Sequence, residues 1–140
     1  MAAPTIEIRL TAVLAAAVAN MAVGALWYAP PLFGKRWLAA MGWSPKELER
    51  RKRQGLSRAY GGTFAASLVL AYFLAHCVEY MGASTLLAGT HVGFWLWLGF
   101  AATTAVSAYL FEGRPLGLYA INTGCHLAGF VVMGALLAVM

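Results

Sequence analysis

Charge is scarce in this sequence. Only 11% of the 140 residues are charged and only 5 are acidic, whereas 61% are hydrophobic. A typical soluble domain has about 25% charged residues. A small domain leaves much of its surface exposed. A chain with this many apolar residues therefore cannot remove its apolar surface from water by folding alone. This composition excludes an ordinary water-soluble domain and predicts burial against lipid or partner subunits.

Cysteine is equally scarce, and motifs for catalysis are missing. Cys77 and Cys125 both lie in apolar runs without a CxxC spacing, which excludes a disulfide framework and a zinc knuckle. We interpret them as small hydrophobic residues in helix contacts. The sequence also has no Ser/His/Asp arrangement, no Gly-rich phosphate loop and no CxxCH haem site. We therefore expect no cofactor and no enzymatic activity.

What the sequence does have is long apolar runs. A helix needs about 20 residues to cross a hydrocarbon core of ~30 Å, and a spanning segment must satisfy its own backbone groups. The sequence therefore predicts an all-α integral membrane four-helix bundle, as a single domain over residues 1–140. The predicted spans are 6–28, 60–81, 89–111 and 116–139, and residues 29–59 connect the first two.

Most of the positive charge lies in that connection. Eight of the 10 basic residues fall within residues 29–59, and Arg114 lies in the connection between helices three and four. The loop between helices two and three carries no charge. Because basic connections stay in the cytoplasm, we expect a multi-pass protein of the inner cell membrane with a cytoplasmic segment 29–59 and both termini outside.

The basic connection has the signals of a short helix. Ser44 suits the N-cap, Pro45 the first helical position and Glu47 the capping box. A run of basic residues from Arg50 follows, and Gly55 is the predicted stop. The stretch before it has Phe33, Trp37 and Met41 at every fourth position, which predicts an amphipathic helix in the membrane interface.

The basic segment predicts a partner. Anionic lipid headgroups attract clustered basic residues at a membrane surface. Nucleic acid is the alternative, but no base-stacking or groove-reading pattern accompanies the charge. We therefore expect lipid contact and no nucleic acid.

The first apolar run has a second interpretation. Ala17, Val18 and Ala19 form the small-x-small pattern of a signal-peptidase site. The apolar run continues beyond them to Trp27 and Tyr28, and Glu7 offsets Arg9 in the preceding segment. We therefore predict an uncleaved spanning helix.

Polar side chains inside the spans are the first candidates for function, since they are costly in lipid. They also have a structural explanation as hydrogen bonds between helices. Taking the centre of each run as mid-membrane, five such residues fall between the middle and the cytoplasmic half, where they would meet as a polar core or an ion or substrate pathway. They are Asn20, Thr103, Thr104, Asn122 and His126.

A second polar group is expected at the outer surface. His76 and Glu79 share one face of helix two, and His91 begins helix three across the short uncharged loop. Imidazole and carboxylate groups bind metals and can relay protons, but the spacing matches no known metal motif. Interfacial side chains that reach water remain the simpler interpretation, and no metal site is assigned.

The exit from helix one carries a family resemblance. "NMAVGALWYAPPLFGKRWLAAMG" resembles the N-terminal signature of the membrane family called domain of unknown function 1761, and the "FEGRP" turn and polar last helix are also similar. The resemblance implies a small four-helix membrane protein and supplies no reaction, substrate or cofactor. The signature positions are Trp27, Tyr28, Pro31 (or Pro30), Phe33, Gly34, Lys35 and Trp37.

Three functions fit these observations. The first is an oligomeric transporter or channel-like protein for a small solute or ion, with Asn20, Asn122 and His126 at mid-membrane and Glu79 and His91 at the outer mouth. The second is an accessory subunit that binds other membrane helices through small-residue faces. The third is a membrane-embedded metalloenzyme using His76, Glu79 and His91. The first is preferred.

Overall fold

The computed structural model describes residues 5–140, and all regular structure in that range is helical. This confirms the expected all-α class. Two π-helical segments interrupt the α-helices, at Pro30–Gly34 and Trp97–Ala102. The α-helices are α1 (Leu10–Trp27), α2 (Lys35–Met41), α3 (Pro45–Tyr80), α4 (Leu86–Leu96), α5 (Thr103–Glu112) and α6 (Leu116–Val139).

Four helical stretches among the described residues are long and apolar enough to cross a membrane. They correspond to the four predicted runs, and α4, the second π-helical segment and α5 together form the third stretch. These stretches are Leu10–Trp27, Pro45–Tyr80, Leu86–Glu112 and Leu116–Val139.

The helix ends have local causes that the sequence displays. After α1 ends, Pro30 and Pro31 prevent its continuation because proline lacks the backbone N–H and restricts the residue before it. The Ser44 Oγ accepts a hydrogen bond from the Glu47 backbone N–H at 3.2 Å, as the capping signal predicts. Gly42 closes α2 in the left-handed conformation, with a φ of 71°.

The basic helix meets a kink at Gly55, where the sequence predicts its stop. One helix runs from Pro45 to Tyr80 with a kink at Gly55, whose φ of −173° and ψ of 26° are not helical. A glycine that ends a helix normally adopts the left-handed conformation, which Gly55 lacks. The helical geometry is thus interrupted at the predicted end point, by a kink instead of a left-handed cap, and a second helical part follows it up to Tyr80.

Helix α6 is the centre of the packing, with contacts to α1, α3, α4 and α5. Its closest neighbour is α4, and the two backbones touch at glycines. A Cβ added to Gly89 would lie 2.2 Å from the Gly134 carbonyl oxygen, and one added to Gly93 would lie 2.2 Å from that of Phe130. Small residues permit such close contact in membranes, where dispersion contacts replace the hydrophobic effect between helices.

The buried core lies at the end of the bundle where α1 begins and α3 and α6 finish. Toward the other end, α3 has no buried residue before Ser67, and α5 has none at all. That half of the molecule is therefore the more open one. The core residues are Ala12, Val13, Ala16, Ala17, Ala71, Leu74, Ala75, Val78, Val92, Met133 and Leu137.

The glycine contact between α4 and α6 generates a stability prediction. Gly93→Ala should lower the free energy of unfolding by roughly 1–3 kcal/mol, because the new methyl group forces the two backbones apart. Thermal unfolding of the protein in detergent, followed by circular dichroism, measures the change.

The matched control is Gly62→Ala in α3, where an added Cβ has no atom within 4 Å. This variant should be as stable as the native protein or slightly more stable, because alanine favours the helix. Equal losses at both positions would contradict the assigned role of the Gly93 contact.

Candidate functional site

Asn122 bridges two helices near the start of α6. The Tyr28 hydroxyl at the end of α1 donates to Asn122 Oδ1 at 2.7 Å, and Asn122 Nδ2 donates to the Tyr109 hydroxyl of α5. An amide can do this because one side chain carries both a donor and an acceptor. Asn122 therefore connects α1 to α5 through α6.

The same stretch of α6 receives two indole groups. Trp27 Nε1 donates to the Ile121 carbonyl oxygen at 2.9 Å, and Trp97 Nε1 donates to that of Thr123 at 2.8 Å. In the opposite direction, the hydroxyl of Tyr119 on α6 donates to the carbonyl oxygen of Ala102 in the second π-helical segment, at 2.7 Å. We call this set the inner polar layer; it consists of Trp27, Tyr28, Trp97, Tyr109, Tyr119 and Asn122.

The second π-helical segment supplies part of this layer. Trp97 and Ala102 are its first and last residues, and both are hydrogen-bonded to α6. A π-helical turn is wider than an α-helical turn and frequently occurs at functional sites. No sequence pattern indicates this segment.

The turn after α1 holds Tyr28 and Trp27 in place. The Phe33 ring stacks on Trp27 at 4.6 Å between centroids, and Trp37 meets Tyr28 edge-on at 5.8 Å. Gly34 is buried, and a Cβ there would lie 2.4 Å from the Tyr28 carbonyl oxygen. This family-signature position therefore requires glycine, because any larger side chain would collide with the Tyr28 backbone.

A second polar contact lies deeper in the bundle. Asn20 Nδ2 of α1 donates to the Ser67 Oγ of α3 at 2.9 Å, and Ser67 is only 3% exposed. The Asn20 Oδ1 fills the space beside Gly129 of α6, since a Cβ on Gly129 would lie 2.2 Å from it. We call Asn20, Ser67 and Gly129 the middle polar layer.

His126 lies between the two layers. It is four residues after Asn122 and three before Gly129, so it shares their face of α6. Met133, seven residues further on the same face, is fully buried, yet His126 is exposed. Within residues 5–140 its ring makes no hydrogen bond. Over the seven residues from Asn122 to Gly129 the helix rises about 10 Å, so His126 is one turn or less from each layer.

The structure does not bring Thr103 and Thr104 together with these residues. Both side chains are exposed, and each donates to a carbonyl oxygen of its own helix, that of Gly99 and that of Phe100. They point away from the side of α5 on which Tyr109 meets α6. The five predicted polar residues therefore do not form one core. Asn122 and Asn20 lie in two separate layers, His126 lies between these layers, and the two threonines lie elsewhere.

The three residues of the predicted outer cluster are also separate. The Nδ1 atoms of His76 and His91 each lie 2.9 Å from a carbonyl oxygen of their own helix. Glu79 instead lines an open cleft of about 360 Å³ together with Glu7 and Arg9. Among residues 5–140 no three His, Cys, Asp or Glu side chains converge in a group that could hold a metal ion.

Sequence reasoning missed several members of the two layers. It assigned Trp27 and Tyr28 to the membrane interface and did not single out Ser67, Tyr109 or Tyr119. One signal was available, because an aromatic N–H or O–H inside an apolar run needs a hydrogen-bond acceptor. The identity of that acceptor depends on which helices are neighbours.

The hydrogen bond between α1 and α6 can be tested by removing one hydroxyl. Tyr28→Phe should reduce the free energy of unfolding by about 0.6–1.5 kcal/mol, since it removes one interhelical hydrogen bond. Thermal unfolding in detergent measures this loss. Tyr80→Phe is the matched control, because Tyr80 is 62% exposed. If the two variants lose equal stability, the bond to Asn122 contributes nothing.

The middle layer predicts a rescue between two positions. Gly129→Ala should cost roughly 1–3 kcal/mol of unfolding free energy, because its methyl group collides with the Asn20 amide. Adding Asn20→Ala should recover part of that loss by opening the space. A double-mutant cycle on thermal stability measures the coupling, and strictly additive effects would refute the contact.

Comparison with known proteins gives a family. Neither a protein of curated function nor a solved structure matches the chain. A family model described as "Protein of unknown function (DUF1761)" matches residues 11–138, which is nearly the whole chain. The resemblance carried by the residues around Trp27 is confirmed, and the chain belongs to the DUF1761 family.

Proposed function

We propose that this protein is an oligomeric transporter or channel-like protein for a small solute or ion. The observation that carries the proposal is His126, an exposed side chain without a hydrogen-bond partner in residues 5–140, on the bundle-facing side of α6 and between two polar layers. A polar residue in a membrane helix is costly. His126 is not used to join helices, so its cost is not explained by packing.

The inner polar layer, His126 and the middle polar layer form three successive levels along α6. Their chemistry suits stepwise passage of a small polar species. Asn122 and the two tyrosines offer both donors and acceptors at the inner layer. An imidazole can bind or release a proton near neutral pH. The Asn20 amide and the Ser67 hydroxyl offer a further polar level one turn deeper. We propose that the solute or ion contacts these groups in that order.

We further propose that the inner layer faces the cytoplasm of a cell whose inner membrane holds the protein. The basic residues on the connection between α1 and the apolar part of α3 favour this orientation. The cleft that contains Glu79, Glu7 and Arg9 then lies at the outer mouth, where a carboxylate attracts cations.

Flux measurements on vesicles reconstituted with the full chain test the transport proposal. Proton and K⁺ fluxes, followed with an enclosed pH dye and a K⁺-sensitive dye, should exceed those of protein-free vesicles. The double variant Asn122→Leu and His126→Leu should reduce the flux at least tenfold. His126→Leu alone should also reduce it, and this variant leaves the hydrogen bonds of Asn122 intact.

Thr63→Val is the control for these variants. Thr63 is an exposed threonine of α3 whose hydroxyl donates to its own helix, at 2.7 Å from the Ala59 carbonyl oxygen. Its replacement should leave both fluxes unchanged. A flux that survives the double replacement rejects the site.

An accessory role is the second candidate, and two observations favour it. Among the described residues, every buried side-chain nitrogen and oxygen has a hydrogen-bond partner. The polar layers thus also have the properties of hydrogen bonds that hold helices together. In addition, Gly99, Thr103 and Ser107 leave a small-residue strip exposed on one side of the third stretch, which suits contact with another membrane helix. This candidate predicts no flux above background in any variant.

A further inference from the structure

The segment that leaves α1 and enters α3 carries most of the molecule's charge. We call residues 35–54 the basic arm; it contains α2 and the charged beginning of α3. The arm holds seven basic residues and two acidic ones, a net charge of +5. Its charges face outward, since each of the seven basic side chains is exposed.

Only part of this charge is neutralised inside the molecule. Glu47 accepts hydrogen bonds from Arg50 at 2.8 Å and Arg51 at 3.0 Å, and these two guanidinium groups lower the pKa of the Glu47 carboxyl. Glu47 therefore stays ionised and occupies those arginines. The other five basic residues form no ion pair within residues 5–140; they are Lys35, Arg36, Lys46, Lys52 and Arg53.

The charges of the helical part lie along one face. Lys46, Arg50 and Arg53 follow an i, i+4, i+7 spacing, which places them in a row over about two turns. Leu48 lies on the opposite side of the helix and is half-buried. The row therefore lies on the side of the helix opposite the half-buried Leu48.

A stack of aromatic rings holds the arm against the end of α1. The Arg51 guanidinium lies 4.1 Å from the Trp43 ring centroid, Trp43 meets Trp37 edge-on at 5.3 Å, and Trp37 meets Tyr28 at 5.8 Å. Tryptophan and tyrosine concentrate at the membrane interface. The stack thus fixes the basic row at the level where α1 leaves the apolar region.

We propose that the basic arm is a docking surface for the headgroups of anionic phospholipids. Three observations agree on this partner: an unneutralised cationic row, its position at the end of a membrane helix, and a kink at Gly55 that lets the arm depart from the direction of the spanning part of α3. Nucleic acid fits less well, because the two aromatic rings of the arm, Trp37 and Trp43, are half-buried and pack on each other, with Arg51 over Trp43. The proposal does not depend on whether the protein transports anything.

Lipid selectivity of the full chain in bilayers tests the proposal. The probes are spin-labelled phosphatidylglycerol and spin-labelled phosphatidylcholine, and electron paramagnetic resonance measures how much of each is immobilised at the protein surface. The native chain should prefer phosphatidylglycerol, with the preference falling as salt is raised because mobile ions screen exposed charges. Each basic residue near an anionic surface contributes up to roughly fivefold in affinity.

The decisive variant removes two charges from the row. Lys46→Gln with Arg53→Gln should lower the preference for phosphatidylglycerol at least threefold. Both side chains are exposed, and circular dichroism checks that the helices persist. The control is Arg9→Gln, which removes a charge at the far end of α1 from the arm and should preserve the preference; the single variant Lys46→Gln is its match within the arm.

Two results would overturn the proposal. A native chain without any preference for phosphatidylglycerol would show that the arm does not dock anionic headgroups. Equal losses in Lys46→Gln and Arg9→Gln would show a general effect of net charge, with no docking surface on the arm.

Discussion

The close contact between α6 and α4 is the constraint on which the rest of the structure depends. Between lipid-embedded helices no hydrophobic force operates, so association relies on dispersion contacts and interhelical hydrogen bonds. Gly89, Gly93 and Gly134 provide the dispersion contacts, because they let the backbones of α4 and α6 touch. With α4 held in this position, the π-helical segment and α5 follow along α6, and Trp97 and Tyr109 come within hydrogen-bonding distance of its first turns.

The polar residues of the bundle use the same central helix. Both polar layers include a position on α6: the inner layer joins α6 to α1 and α5 by hydrogen bonds, and the middle layer joins α1 to α3 beside Gly129 of α6. Such bonds are worth on average about 0.6 kcal/mol each in a membrane protein, so they orient the helices more than they stabilise them. His126 differs because it takes no part in this bonding.

The family signature around Trp27 acquires a physical meaning from the fold. It begins where α1 ends and returns the chain sharply, so that Phe33 stacks on Trp27 and Gly34 lies against the Tyr28 carbonyl. This turn directs Trp27 and Tyr28 toward α6. The aromatic stack continues from Tyr28 to Trp43 and connects the inner polar layer with the basic arm. One short stretch therefore ends a helix, joins it to the centre of the bundle and positions the charge.

The sequence by itself determined the class of protein and the number of helices able to cross a membrane. Length and hydropathy of a run suffice for that, because a spanning helix satisfies its backbone within itself. It also predicted the Ser44 cap, since capping depends on residues three positions apart. Only the tertiary structure decided that Asn20 pairs with Ser67, that Asn122 pairs with two tyrosines, and that Thr103 and Thr104 face outward. Depth along a helix can be read from a sequence, but the direction in which a side chain meets another helix depends on how the helices are rotated against each other. That rotation is set by contacts such as those of Gly93 and Gly129, between residues far apart in the chain.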